Sequence, residues 1–187
     1  MKGKSPVPAR SAPPRRFAAW PPATLLIAGA LVLCAALLPA APAFARDSLG
    51  MYADWGAFRD PAVPRCYAIA MAQPSTLRRD YQPYATVGTW PRRALRNQIH
   101  FRLSRKMAGD PRIRLNIAGK RYELTGGGGD AWAADERDNA AILADMRTAR
   151  TMTVSATGMD ERRFSSTWQL NGAASAIDAA LLGCARL

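Results

Sequence analysis

The stretch that decides the fold is Asn97-Gln98-Ile99-His100-Phe101-Arg102-Leu103-Ser104-Arg105. Ile99, Phe101 and Leu103 alternate with Gln98, His100, Arg102 and Ser104, the period of two expected of an extended strand with one buried face. In a helix the same three apolar side chains would be scattered around the circumference. Its neighbours repeat the pattern. Downstream, Ile113, Leu115 and Ile117 alternate within 112–117, and Ala118-Gly119-Lys120 offers a tight turn into 121–125, which predicts a hairpin. Upstream, 54–59 and 65–71 read as strands joined by the turn residues Asp60-Pro61-Ala62-Val63-Pro64. In the second of them Cys66, Ala68 and Ala70 face one way, and Tyr67, Ile69 and Met71 the other.

Farther along, 151–157 place Met152, Val154 and Ala156 on one face, and 163–170 do the same with Phe164, Trp168 and Leu170. Two helices interrupt the strands. The first, over 135–150, has Ile142, Leu143, Met146 and Ala149 on a stripe, with Asp135 and Glu136 at its start and Arg147 and Arg150 at its end to complement the dipole. The second, over 172–182, has Asn171 as its expected cap and stops at Gly183. Gly126-Gly127-Gly128-Gly129 reads as a flexible connector before the first helix. A phosphate-binding loop would need Lys-Ser/Thr after the glycines, and Asp130 stands there instead. The expected class is mainly β: a β-sandwich-like single domain of about seven strands with one medium and one short helix. Trp55, Phe101, Phe164 and Trp168 are the expected core aromatics.

Ahead of this pattern, residues 1–45 carry Lys2, Lys4, Arg10, Arg15 and Arg16, no acidic residue, an apolar run from Ala23 to Leu38, and Ala43-Phe44-Ala45. These are the three parts of a secretory signal peptide, with cleavage expected after Ala45 and a mature domain at 46–187. The apolar run falls short of the ~20 residues that a membrane span needs, and Pro39 and Pro42 interrupt its end, so no stable span is expected after cleavage. The chain has 26 Lys and Arg against 14 Asp and Glu; without the leader's five basic residues the net charge is +7. That density is below what a dedicated nucleic-acid binder carries. Cys34 leaves with the leader, and Cys66 and Cys184 remain as a pair expected to form a disulfide in the periplasm or cell envelope.

Catalytic signatures are missing from this sequence. The sole histidine, His100, lies on the polar face of its strand with no orienting partner nearby, and reads as an exposed strand residue. With one histidine and two paired cysteines, neither a metal site nor a cofactor is expected. What the sequence does offer is a basic run interleaved with aromatics, centred on an Arg/Pro-rich insert at 73–96. Arg78, Arg79, Tyr84, Trp90, Arg92, Arg93, Arg96 and Arg102 are the candidate binding residues, followed by Arg105 and Lys106. Such a surface attracts acidic partners, here an acidic envelope component or an envelope protein.

Asp54-Trp55-Gly56-Ala57-Phe58, Cys66-Tyr67-Ala68-Ile69-Ala70 and Ile113-Arg114-Leu115-Asn116-Ile117-Ala118-Gly119-Lys120 precede a C-terminal order of helix, two strands and an Ala-rich helix. Together these pieces resemble the invasion-associated locus B (IalB) family of exported alphaproteobacterial proteins, over most of residues 50–187. The resemblance implies a β-sandwich-like fold, an envelope location, links to host interaction and no established enzymatic activity, and it transfers no functional residues. Two features depart from the family. Cys66 has no second cysteine near it, and the arginine-rich insert is long. The expected function is therefore a non-enzymatic envelope-associated binding or accessory protein; the alternatives are an envelope-polymer hydrolase or an inhibitor of an envelope-directed enzyme such as lysozyme.

Overall fold

Alternation along the chain becomes ten strands: β1 (Asp47–Tyr52), β2 (Trp55–Asp60), β3 (Arg65–Met71), β4 (Tyr84–Trp90), β5 (Leu95–Arg102), β6 (Ile113–Ile117), β7 (Lys120–Gly127), β8 (Asp130–Ala133), β9 (Thr151–Thr157) and β10 (Arg163–Gln169). Two helices accompany them, α1 (Glu136–Met146) and α2 (Ala173–Cys184). The structure is a computed structural model that describes residues 46–185, so the expected leader and its cleavage site lie outside the described residues. All strands pair antiparallel in one sheet, in the order β1-β2-β3-β4-β5-β8-β7-β6-β9-β10. The expected mainly β, single-domain class with two helices holds.

The sheet is folded over on itself. Four strands separate β5 from β10, yet the Phe101 and Trp168 rings lie 5.5 Å apart. Trp55 of β2 donates its indole N–H to the Gln169 carbonyl at 2.9 Å, and the Gln73 amide donates to the Thr167 carbonyl at 2.7 Å. Two halves of one sheet thus face each other across a common core, the sandwich-like arrangement that lets alternating strands bury a single face. Trp55, Phe101, Phe164 and Trp168 are all buried in it, as their positions in the alternation require. α2 closes the open side over β1–β4. It presents Ala173, Ala176, Ile177 and Ala180, small enough to let helix and sheet approach closely, and its last turn joins Cys184 to Cys66 of β3 in a disulfide.

Several elements differ from expectation. Ten strands form rather than about seven, because β1, broken by Gly50, and β8, four residues long, carry too little alternation to register. The glycine run is a hairpin turn, not a connector. Gly126 and Gly127 belong to β7, Gly128 and Gly129 turn the chain with Gly128 at φ +63°, and Asp130 opens β8. A side chain at Gly126 would run into the Asp130 carbonyl. Within the 73–96 segment, Tyr84–Trp90 is a full strand in the interior of the sheet. α2 is capped at Gly172 rather than at Asn171. Gly172 has φ +84°, and the Tyr52 carbonyl occupies the space that a Cβ would need.

Polar groups of the helices are matched across elements. Asp135 caps α1 by accepting from the Asp138 amide at 2.7 Å. Asn139 pairs with the β5 backbone where β8 is too short to reach, accepting from the Ile99 amide at 2.9 Å and donating to the Asn97 carbonyl at 3.0 Å. Arg147, expected to serve the α1 dipole, is bound to Asp178 of α2 at 2.7 Å. Asp145 is buried and accepts from Lys120 Nζ and from the Tyr122 hydroxyl, each at 2.7 Å.

Burial opposes the charge on Asp145, but the hydrogen bonds from Lys120 and Tyr122 and the lysine's charge outweigh it, so its carboxyl is held below the ordinary 3.8. Hydrogen bonds from arginine likewise lower Asp160 and Asp178. A carboxyl with a depressed folded value contributes stability above its unfolded value and loses it as pH falls through the folded one. Asp145→Asn is therefore expected to unfold at lower urea than the wild type at neutral pH, with the gap narrowing toward about pH 3. Urea titrations at both pH values check this, and a gap that stays constant would mean the carboxylate's charge is not what stabilises the hairpin against α1.

Candidate functional site

Inward placement of Cys66, Ala68, Ala70, Ala85, Val87, Ile99 and Phe101 sends their neighbours to the opposite face of the sheet. Register then sets those outer residues in rows. Phe58 lies beside Tyr67, Gly88 and Gln98 in one row, and Ile69 beside Thr86, His100 and Trp132 in the next. The outcome is an aromatic surface on β2–β5 and β8. Phe58 and Tyr67 stack at 5.7 Å, while His100 stands 5.9 Å from Tyr84 and 5.1 Å from Trp132. Trp90 lies over Gly88, where an added Cβ would come within 2.6 Å of the indole, so only glycine lets the ring lie down on the sheet.

Tyr67, Tyr84, Trp90, His100 and Trp132 line a shallow hollow of about 510 Å³, with Arg46 and Arg65 at its rim. Both arginines reach one carboxylate, Asp60, at 3.6 and 3.4 Å, so the rim keeps a net positive charge. Arg65 also lies over the Tyr67 ring at 4.9 Å, and its buried Nε has no partner among the described residues. His100 is part-buried, contrary to its expected exposure. Its Nε2 bonds Asp130 at 2.9 Å, a partner supplied by β8. The same carboxylate binds Arg102, whose guanidinium covers the Tyr81 ring at 3.8 Å. Arg102 is thereby a structural residue of this face, already paired.

The remaining sequence-predicted residues fall elsewhere. Arg92 and Arg93 sit in a single exposed 3-10 turn, Pro91–Arg93, directly after Trp90. Arg96 opens toward the last turn of α2, beside Leu181 and Leu182. Arg78 and Arg79 line a separate cleft of about 560 Å³ against β10. Of the eight candidates, only Tyr84 and Trp90 come together in the hollow. Sequence reasoning missed Tyr67, Trp132, Arg46 and Arg65. The outward period of 65–71 already pointed to Tyr67, whereas Trp132 needed β8 to be recognised.

Among the described residues no hydroxyl or thiol is hydrogen-bonded to His100, and no group of three His, Cys, Asp or Glu could hold a metal ion. Asp145, Asp160 and Asp178 are displaced downward, the reverse of what a general acid requires. No helix among the described residues is long and apolar enough to cross a membrane. Comparison with protein-family models, curated proteins and solved structures finds no match to this chain.

Proposed function

We propose that this chain is an exported, non-enzymatic accessory protein of the bacterial cell envelope, related to the invasion-associated locus B proteins, and that its aromatic outer face binds an acidic glycan. The observation that carries the reading is the gathering of Tyr67, Tyr84, Trp90, His100 and Trp132 in one accessible hollow edged by Arg46 and Arg65. Sugar rings present C–H faces that pack on aromatic planes, and their hydroxyls bond to polar groups such as Gln98 and Thr86 at the same surface. Carboxylates on the glycan match the planar guanidinium forks of Arg46 and Arg65 at the rim. The Cys66–Cys184 disulfide supports an oxidising compartment, in keeping with the periplasm.

Titration with a uronic-acid oligosaccharide and with a neutral glucan of equal length tests the reading. Tyr84→Ala and Trp90→Ala are each expected to weaken the acidic ligand about fivefold, on the order of 1 kcal/mol. Arg65→Ala should reduce binding of the acidic chain while sparing the neutral one, and added salt should act in the same sense. Unchanged affinity for the acidic oligosaccharide in a folded Trp90→Ala variant would sink the glycan reading.

A further inference from the structure

Away from the aromatic face, the strongest concentration of unspent charge is the cleft between residues 73–83 and β10. We propose that this cleft is a binding site for a phosphate monoester carried on a small organic body. It stands apart from the glycan reading, since the two linings share no residue.

Two attachments hold the cleft open. The Gln73 amide ties the start of the segment to the Thr167 carbonyl at 2.7 Å, and the Asp80 and Tyr81 amides tie its far part to the Ser104 carbonyl at 2.8 and 3.1 Å. The chain between them spans a cavity of about 560 Å³, inside the ~300–1,000 Å³ common for small-molecule sites. Arg78, Arg79, Arg105, Arg162 and Arg163 all line it, against a single carboxylate, Asp160. That carboxylate is already bound to Arg105 at 2.8 Å. Arg78, Arg79, Arg162 and Arg163 have no carboxylate partner among the described residues. Arg163 also borders a smaller hollow with Arg112 and Arg114, which extends the positive field.

Unmatched buried donors point the same way. Ser166 is 5 % exposed and lines the cleft, and its hydroxyl has no hydrogen-bond partner among the described residues. The buried Nε of Arg105 is likewise without a partner among the described residues. Buried polar groups are nearly always satisfied, so an unmatched pair at the wall of an arginine-lined cavity calls for an acceptor from outside. A phosphate monoester offers three oxygens and up to two charges, enough to engage several guanidinium forks and a hydroxyl together, where a carboxylate would serve one fork. Pro74, Leu77 and Pro83 give the cleft an apolar side suited to the organic part.

Calorimetric titration with glycerol 3-phosphate and inorganic phosphate, alongside vesicle binding to phosphatidic acid against phosphatidylcholine, tests the proposal and separates its two sources of ligand. The Arg162→Ala/Arg163→Ala variant should lose about tenfold or more in affinity. Arg137→Ala/Arg150→Ala, which removes the same charge elsewhere, should leave binding unchanged. Ser166→Ala should weaken binding about threefold while its thermal midpoint stays at or above the wild type, because the deleted hydroxyl has no partner to lose among the described residues. Binding of glycerol 3-phosphate alone assigns a soluble ligand. Binding to phosphatidic acid vesicles that depends on Arg162 and Arg163 assigns a lipid headgroup. Absence of both, or an equal loss in the Arg137/Arg150 variant, overturns the site.

Discussion

Replacing Cys66 and Cys184 together with alanine is expected to lower the unfolding free energy by roughly 4–5 kcal/mol. The bridge joins residues 118 apart, from the third strand to the last turn of the last helix, so almost every other element lies within the loop it closes. Cutting it frees the unfolded chain to occupy conformations the cross-link forbids, and the logarithmic dependence on loop length puts the effect near the top of the usual range. Alanine is the right replacement because both sulfurs are buried, at 0 % and 5 % exposure, and serine would bury two hydroxyls in their place. Urea unfolding of the two proteins gives the difference. The dependence on denaturant should steepen in the variant, since its unfolded state exposes more surface. A loss below about 1 kcal/mol would mean the unfolded chain retains structure that already holds the two ends together.

Trp168→Ala is expected to cost about 3–5 kcal/mol, the range for truncating a fully buried aromatic. Trp168 has no exposed surface and meets Phe101 across the sandwich, so its removal opens the contact between the two halves of the sheet. Comparison with Trp55 separates packing from hydrogen bonding. Trp55 is equally buried, but its indole N–H is bonded to the Gln169 carbonyl, while the Trp168 N–H has no partner among the described residues. Trp55→Phe should therefore destabilise more than Trp168→Phe, by about 1–3 kcal/mol for the carbonyl left unpaired. Urea unfolding of the phenylalanine pair reads this directly, and the opposite order would show that the Trp55–Gln169 bond is not what holds β2 against β10.

The functional reading inherits its geometry from pairing. Tyr84 and Trp90 stand among arginines in the chain, yet none of those arginines lines the hollow that the two aromatics share. Arg78 and Arg79 face β10, Arg96 faces α2, and Arg102 is consumed by Asp130. The charge that borders the aromatic hollow comes instead from Arg46 and Arg65, two positions whose local sequence gives no sign of it. His100 shows the same limit. Its strand was plain from alternation, but its partner arrives from a four-residue strand behind a glycine turn.

By itself the sequence determined the β class, most of the strands, the faces of those strands, the four core aromatics and the pairing of Cys66 with Cys184. Each of these depends on interactions that repeat along the chain or on simple elimination, so local alternation and a residue count suffice. Only the tertiary structure decided the ten-strand order, the fold-over that brings β10 against β2, and the division of the arginines among three surfaces. Those features rest on contacts between residues far apart in sequence, such as Trp55 with Gln169 and Gln73 with Thr167. Their energies come from mutual fit across the core, and no period within a single strand encodes which distant strand will supply it.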